Sequence, residues 1–165
     1  MDAERNSRTT AIGLARYAKE YIEAAIVVDQ GMGDRKEYAT ISPIPAYFLL
    51  THGLELTFKA YLRYAGLTVE ELGKIGHDLK ALYARARELG LDDLYKLTAA
   101  DTEAFELLVA VNVFHQLRYI ETGFKRFPLW SAVEPLGVLL HQAVAPKVGY
   151  ESLKISYPAA ATAPG

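Results

Sequence analysis

The sequence predicts an all-α fold, a bundle of about four to five helices joined by short links, on three observations. Apolar residues in each long segment recur three and four apart, the spacing that lines one face of a helix. Glycines, prolines and Ser, Thr or Asp caps fall between those segments, where helices stop and start. No stretch before residue 150 alternates apolar and polar residues as a strand would. At 165 residues the chain suits one domain with a real core.

The first helix is expected from about Ser7 to Gln30, with Leu14, Tyr17, Tyr21, Ala24 and Val28 as its inward stripe and Ile22 and Ile26 widening it. Gly31 and Gly33 would end it by accepting a left-handed conformation. A phosphate loop at this glycine pair fails, because Lys36 stands where GxGxxG needs glycine and no strand precedes it. Ser42 followed by Pro43 reads as a capped start to a second helix running to about Ala65, with Gly66-Leu67 as its stop. That helix, AYFLLTHGLELTFKAYLRYAG, is apolar nearly all round, so it should be the most buried. Thr68 to Glu71 forms a capping box for a short turn stopping at Gly73. Asp78 to Leu89 makes a third helix, with Leu79, Leu82 and Tyr83 inward.

Thr98, with Asp101 three residues on, opens a fourth helix to about Thr122, with Phe105, Leu108, Val109, Val111 and Phe114 on its buried face. FKRFPLW is read as a loop. Ser131 to Glu134 looks like a second capping box, opening a last helix to about Ala145, before Pro146. Residues 1–149 are thus expected to form a single helical-bundle domain. Residues 150–165, which alternate weakly through Glu151, Leu153, Ile155 and Tyr157, are expected to form an extended or flexible C-terminal arm.

Composition removes several function classes. With 18 basic and 20 acidic residues the net charge is −2, less positive than is usual for a protein that lives on nucleic-acid phosphates. The absence of cysteine excludes disulfides, zinc-thiolate sites and thiol catalysis, and fits a reducing, cytoplasmic setting. The charged MDAERNSRTT start predicts no signal peptide, and no apolar run is long enough to predict a membrane helix. No Glu stands three residues before any histidine, and HExxH and GxSxG are missing, so neither a metal site nor a serine hydrolase is expected; no cofactor is implied.

Two constellations remain. On the second helix His52, Glu55, Lys59 and Arg63 follow at spacings of three, four and four, so they form one polar line on an otherwise apolar helix. A carboxylate in such surroundings must be paired or protonated. The structural reading pairs Glu55 with Lys59 or with His77, while Asp78 caps the third helix; the functional reading makes the line a ligand groove or proton shuttle, and the helix start an anion site. On the fourth helix Asn112, His115 and Tyr119 share a face, with Arg118 on the flank. Either they are satisfied core groups or they form a second binding face. Arg118, Lys125 and Arg126 beside Phe124 and Phe127 make a small basic patch that either touches RNA or solvates a loop. His141 is read as packing or surface.

The His-x-x-Glu-x-x-x-Lys helix, the Gly-His-Asp-Leu entrance to the next helix and the Asn/His/Arg-Tyr region of the fourth together resemble the HEPN superfamily of small helical domains, over roughly residues 47–119. The resemblance implies an up-and-down bundle, commonly a homodimer, found with toxin–antitoxin, defence or RNA-processing systems. It implies RNA, a nucleotide, or a protein such as a nucleotidyltransferase or antitoxin as partner. Active members carry an Arg followed four to six residues later by a His and cleave RNA without metal across the dimer cleft. No histidine here has an arginine at that distance before it, so no catalytic residue is carried over. The expectation is a non-catalytic module with His52, Glu55, Lys59, His77, Asp78, Asn112, His115, Arg118 and Tyr119 as binding candidates. The alternative is a metal-independent ribonuclease that uses His115 and Arg118 in the reverse order.

Overall fold

The computed structural model describes residues 4, 7–38, 41–113 and 126–158, with backbone only at 112 and 113. Among these the chain is an all-α bundle without a strand. α1 spans Ala11–Met32, α2 Ile44–Tyr64, α3 Val69–Ile75, α4 Leu79–Glu88, α5 Ala99–Val113 and α6 Trp130–Lys147, with 3₁₀ turns at Lys36–Tyr38 and Leu91–Asp93. No helix among the described residues is long and apolar enough to cross a membrane.

α2 is the centre, and most of its 21 residues are buried. α1 lies antiparallel to it. Arg63, near the end of α2, donates from Nε to the Thr9 carbonyl at 2.9 Å, while Ser42, before its start, donates to Asp29 near the end of α1. α6 runs parallel to α2 on another side: Trp130 packs edge-on against Tyr47 at 5.4 Å at one end, and Lys147 sits 5.8 Å over the Tyr64 ring at the other. α4 and α5 close the core through Phe58, Tyr83 and Phe105, whose ring centroids lie 5.7, 6.0 and 5.1 Å apart pairwise. Each fully buried side chain of this core, such as Phe58 or Leu82, removes enough apolar area from water to stabilise the fold by about 1.5–3 kcal/mol, while Tyr83 is half-buried.

Several local expectations are corrected. The buried line of α1 is Ala15, Ala18, Ile22, Ala25 and Ile26, and Tyr17 is 54% exposed. Small residues take the inner face because α1 approaches α2 closely at Gly53. Ser7 and Arg8 are helical as expected, but the helix breaks at Thr9 and Thr10, and α1 starts after Thr10, whose hydroxyl accepts from the Gly13 amide at 3.0 Å. Gly33 closes it in a right-handed conformation, and its lack of a side chain serves instead a close approach to the Asp29 carbonyl. Ser42 does not cap α2, since its hydroxyl is spent on Asp29. α3 passes through Gly73 and stops at Gly76.

The Ser131–Glu134 capping box does not form. α6 begins two residues earlier, at Trp130 with Leu129 as its cap, and Glu134 instead accepts from Trp130 Nε1 at 2.6 Å and the Tyr157 hydroxyl at 2.9 Å. α6 also continues past Pro146 to Lys147. The Thr68–Glu71 capping box and the Thr98–Asp101 pair form as the sequence predicts. Residues 150–158 form neither helix nor strand and pack against α6, where the Gln142 side-chain amide donates to the Leu153 and Ile155 carbonyls at 2.8 and 2.7 Å. In the FKRFPLW segment, Phe127 and Trp130 turn inward onto Tyr47, whose hydroxyl donates to the Pro128 carbonyl at 2.7 Å.

Candidate functional site

The polar line of α2 meets the end of α3. The Thr68–Glu71 box fixes where α3 begins, and Gly76 fixes how it ends: its φ of 70° with ψ of −126° is open to glycine and strained for other residues. That turn directs His77 back over α2. Asp78 then caps α4, its carboxylate accepting from the Ala81 amide at 3.0 Å.

Glu55 is the hub. It is only 4% exposed, yet its Oε1 accepts from Lys59 Nζ at 2.7 Å and from His77 Nδ1 at 2.8 Å, while His52 Nδ1 stands 3.8 Å from Oε2. Burial pushes the carboxyl pKa up. His52, Lys59 and His77 together outweigh that cost and bring it down to about 2, so the group is a buried carboxylate held ionised. The two pairs read from sequence, Glu55 with Lys59 and Glu55 with His77, therefore coexist on one oxygen. His52 is set by an edge-on contact with Tyr21 of α1, centroids 4.4 Å apart.

This hub floors a half-open groove of about 800 Å³. His52, Glu55 and Lys59 line one side, and Lys74 and His77 of α3 and its following turn line the other, with Leu14 and Leu72 as apolar wall. Lys74 is engaged with Glu70 at 2.8 Å in an exposed pair of small energetic weight.

The structure thus brings together His52, Glu55, Lys59 and His77. It leaves Asp78 at the helix cap and takes Arg63 out of the line to serve the Thr9 and Leu67 carbonyls. The side chain of Asn112, and His115, Arg118 and Tyr119 entirely, lie outside the described residues, as do Phe124 and Lys125 of the basic patch. No group of three His, Asp or Glu among the described residues is disposed to hold a metal ion. Two participants escaped the sequence reading: Tyr21, assigned to the core stripe of α1, and Lys74, a surface lysine one turn beyond the capping box. Only the antiparallel packing of α1 on α2 would have paired Tyr21 with His52.

His141 proves fully buried. Its Nε2–H donates to the Ala15 carbonyl at 2.9 Å, and its Nδ1 has no partner among the described residues. Burial, partly offset by that carbonyl, lowers its pKa and keeps the ring neutral. It ties α6 to α1 rather than facing the groove.

No protein-family model, no curated protein and no solved structure matches this chain.

Proposed function

We propose that the chain is a HEPN-like, non-catalytic binding module that works as a homodimer and holds a nucleotide, free or within an RNA, in the groove over Glu55. The observation that carries this reading is the groove itself, a concave site on the central helix with a buried ionised carboxylate at its floor and His52, Lys59 and His77 around it. Lys59 at the floor and Lys74 at the rim suit a phosphate, and the apolar wall suits the face of a base. The missing Arg-to-His spacing supports the non-catalytic part of the reading.

Calorimetric titration with nucleotides and short RNAs is expected to show binding that weakens as salt rises, with the RNA left intact during long metal-free incubation. RNA cleavage that disappears in His115→Ala would overturn the reading in favour of the ribonuclease. Failure of every nucleotide and RNA to bind would leave a purely protein-directed module.

Self-association is supported by the large apolar side chains that remain outside, among them Val27 at 65% and Leu129 at 63% exposure, since stable dimer interfaces collect such residues. Light scattering at micromolar concentration is expected to give twice the mass of the 18.3 kDa chain; a monomer mass would remove the dimer.

A further inference from the structure

One side of α6 already holds an occupant, the chain's own C-terminal arm. Its side chains alternate: Leu153 is buried, Ile155 and Tyr157 are half-buried against the core, and Lys154 and Ser156 are exposed. The arm is seated by side chains of the helix. Gln142 spends both amide hydrogens on the Leu153 and Ile155 carbonyls, and Glu134, about two turns earlier, accepts from the Tyr157 hydroxyl. Among the described residues, the one backbone bond from the arm to the bundle runs from the Tyr150 N–H to the Ala145 carbonyl at 2.8 Å, and it belongs to the helix cap. A surface that reads two main-chain carbonyls, a leucine and a tyrosine hydroxyl accepts this segment from any chain that carries it. A second copy carries it.

The joint is a single residue. Gly149, at φ of 87°, turns the arm back along its own α6. Large apolar side chains lie exposed at both ends of the arm. Ile12, 49% exposed, is 3.7 Å from a Cβ built on Gly149. Leu129, 63% exposed, immediately precedes the Trp130 that shares Glu134 with Tyr157.

Resting on the homodimer part of the reading above, we propose that the dimer forms by arm exchange, with residues 150–158 of each copy lying on α6 of the other. Exchange of an identical element remakes every contact named here, so its costs are the change at the joint and the lost free motion of two chains. The gain is burial of the apolar residues at the two ends of the arm, which the crossing arms draw against the second bundle. A dimer formed by apolar faces alone leaves each arm on its own helix, and that difference can be measured.

Lys19 Nζ of α1 stands 3.9 Å from the Glu151 carboxylate, so zero-length carbodiimide coupling joins body to arm through an amide bond. Heavy-nitrogen and unlabelled chains are unfolded together, refolded, and coupled in the dimer fraction from size exclusion. Lys19–Glu151 peptide pairs that join a heavy to a light chain are expected to be as frequent as the two same-label kinds together. The Lys19–Glu23 link, at 3.1 Å within α1, is the same-label control. Same-label Lys19–Glu151 pairs alone overturn arm exchange and leave the dimer standing. A monomer mass overturns both.

Gly149→Ala reads the joint itself. The added Cβ meets only side-chain carbons of Ile12, at 3.7 Å and beyond, so strain at the positive φ is its main effect. That strain burdens the closed monomer and is relieved once the arm crosses over. Analytical ultracentrifugation is therefore expected to show a dimer association constant raised about tenfold or more. An unchanged or lower constant overturns the proposal.

Discussion

Glu55→Ala is expected to lower folding stability by about 3 kcal/mol. The substitution leaves Lys59, 15% exposed at its side chain, facing a pocket that held its counter-charge at 2.7 Å. His77 loses its partner as well, but at 63% side-chain exposure it can turn to water, which places the cost at the lower end of the range for broken buried pairs. Glu55→Gln keeps the volume and one acceptor, so about 1 kcal/mol is expected.

The pH dependence has a definite sign. A carboxyl whose folded pKa lies near 2, against an ordinary value of 4.5, contributes stability that is present above 4.5 and is lost as the pH falls toward 2. Across that window the wild type should lose up to about 3 kcal/mol that Glu55→Gln does not lose, so its advantage of about 1 kcal/mol at pH 7 should vanish and then reverse in acid. Urea unfolding at pH 7 and pH 3 checks both statements. An unchanged midpoint for Glu55→Ala at pH 7 would mean that Glu55 faces water in solution.

How far the chain could be read in advance depends on whether each signal was local. The stops at Gly66 and Gly90, the capping box at Thr68 and the cap at Asp78 are set by neighbours within four residues, and the helices follow them. The Glu55–Lys59 pair is likewise one helical turn, and the His77 contact follows from the short α3 segment that brings the chain back over α2. Ser42 and Glu134 failed as caps for the opposite reason. Each side chain had a tertiary partner, Asp29 for one and Trp130 with Tyr157 for the other, and that partner took the group from the backbone. The inward face of α1 was misread because periodicity weighs large apolar residues, whereas a close helix contact selects small ones. The groove was legible as a line of residues but not as a cavity, since its far wall comes from α3 and its apolar side from α1.

That close contact carries the second large effect, at Gly53. A Cβ built there falls 2.6 Å from Ile22 Cγ1 and 3.3 Å from both the Ala18 carbonyl oxygen and the Ile22 amide of α1. The backbone atoms cannot yield without moving the helix, and Ile22 is fully buried and β-branched, with one strongly preferred rotamer on a helix. The helices must therefore separate. For Gly53→Ala, overpacking of about 1–3 kcal/mol is partly offset by the gain of about 1 kcal/mol from replacing glycine within a helix, leaving a net loss of about 1 kcal/mol. Gly53→Val adds two methyl groups with little propensity gain and is expected to cost about 3 kcal/mol or more.

The consequence reaches the groove, because Tyr21, which packs on His52, immediately precedes Ile22 on α1. Gly53→Val is therefore expected to shift the His52 ring resonances in NMR spectra even under conditions where the protein stays folded. The direct check is a double-mutant cycle. Ile22→Ala is destabilising in the wild type, but combined with Gly53→Ala it removes the clash, so the pair should be more stable than the two single losses add up to by about 1 kcal/mol. Strict additivity would mean that α1 and α2 are not in contact at this point, and the small-residue account of the α1 face would fall with it.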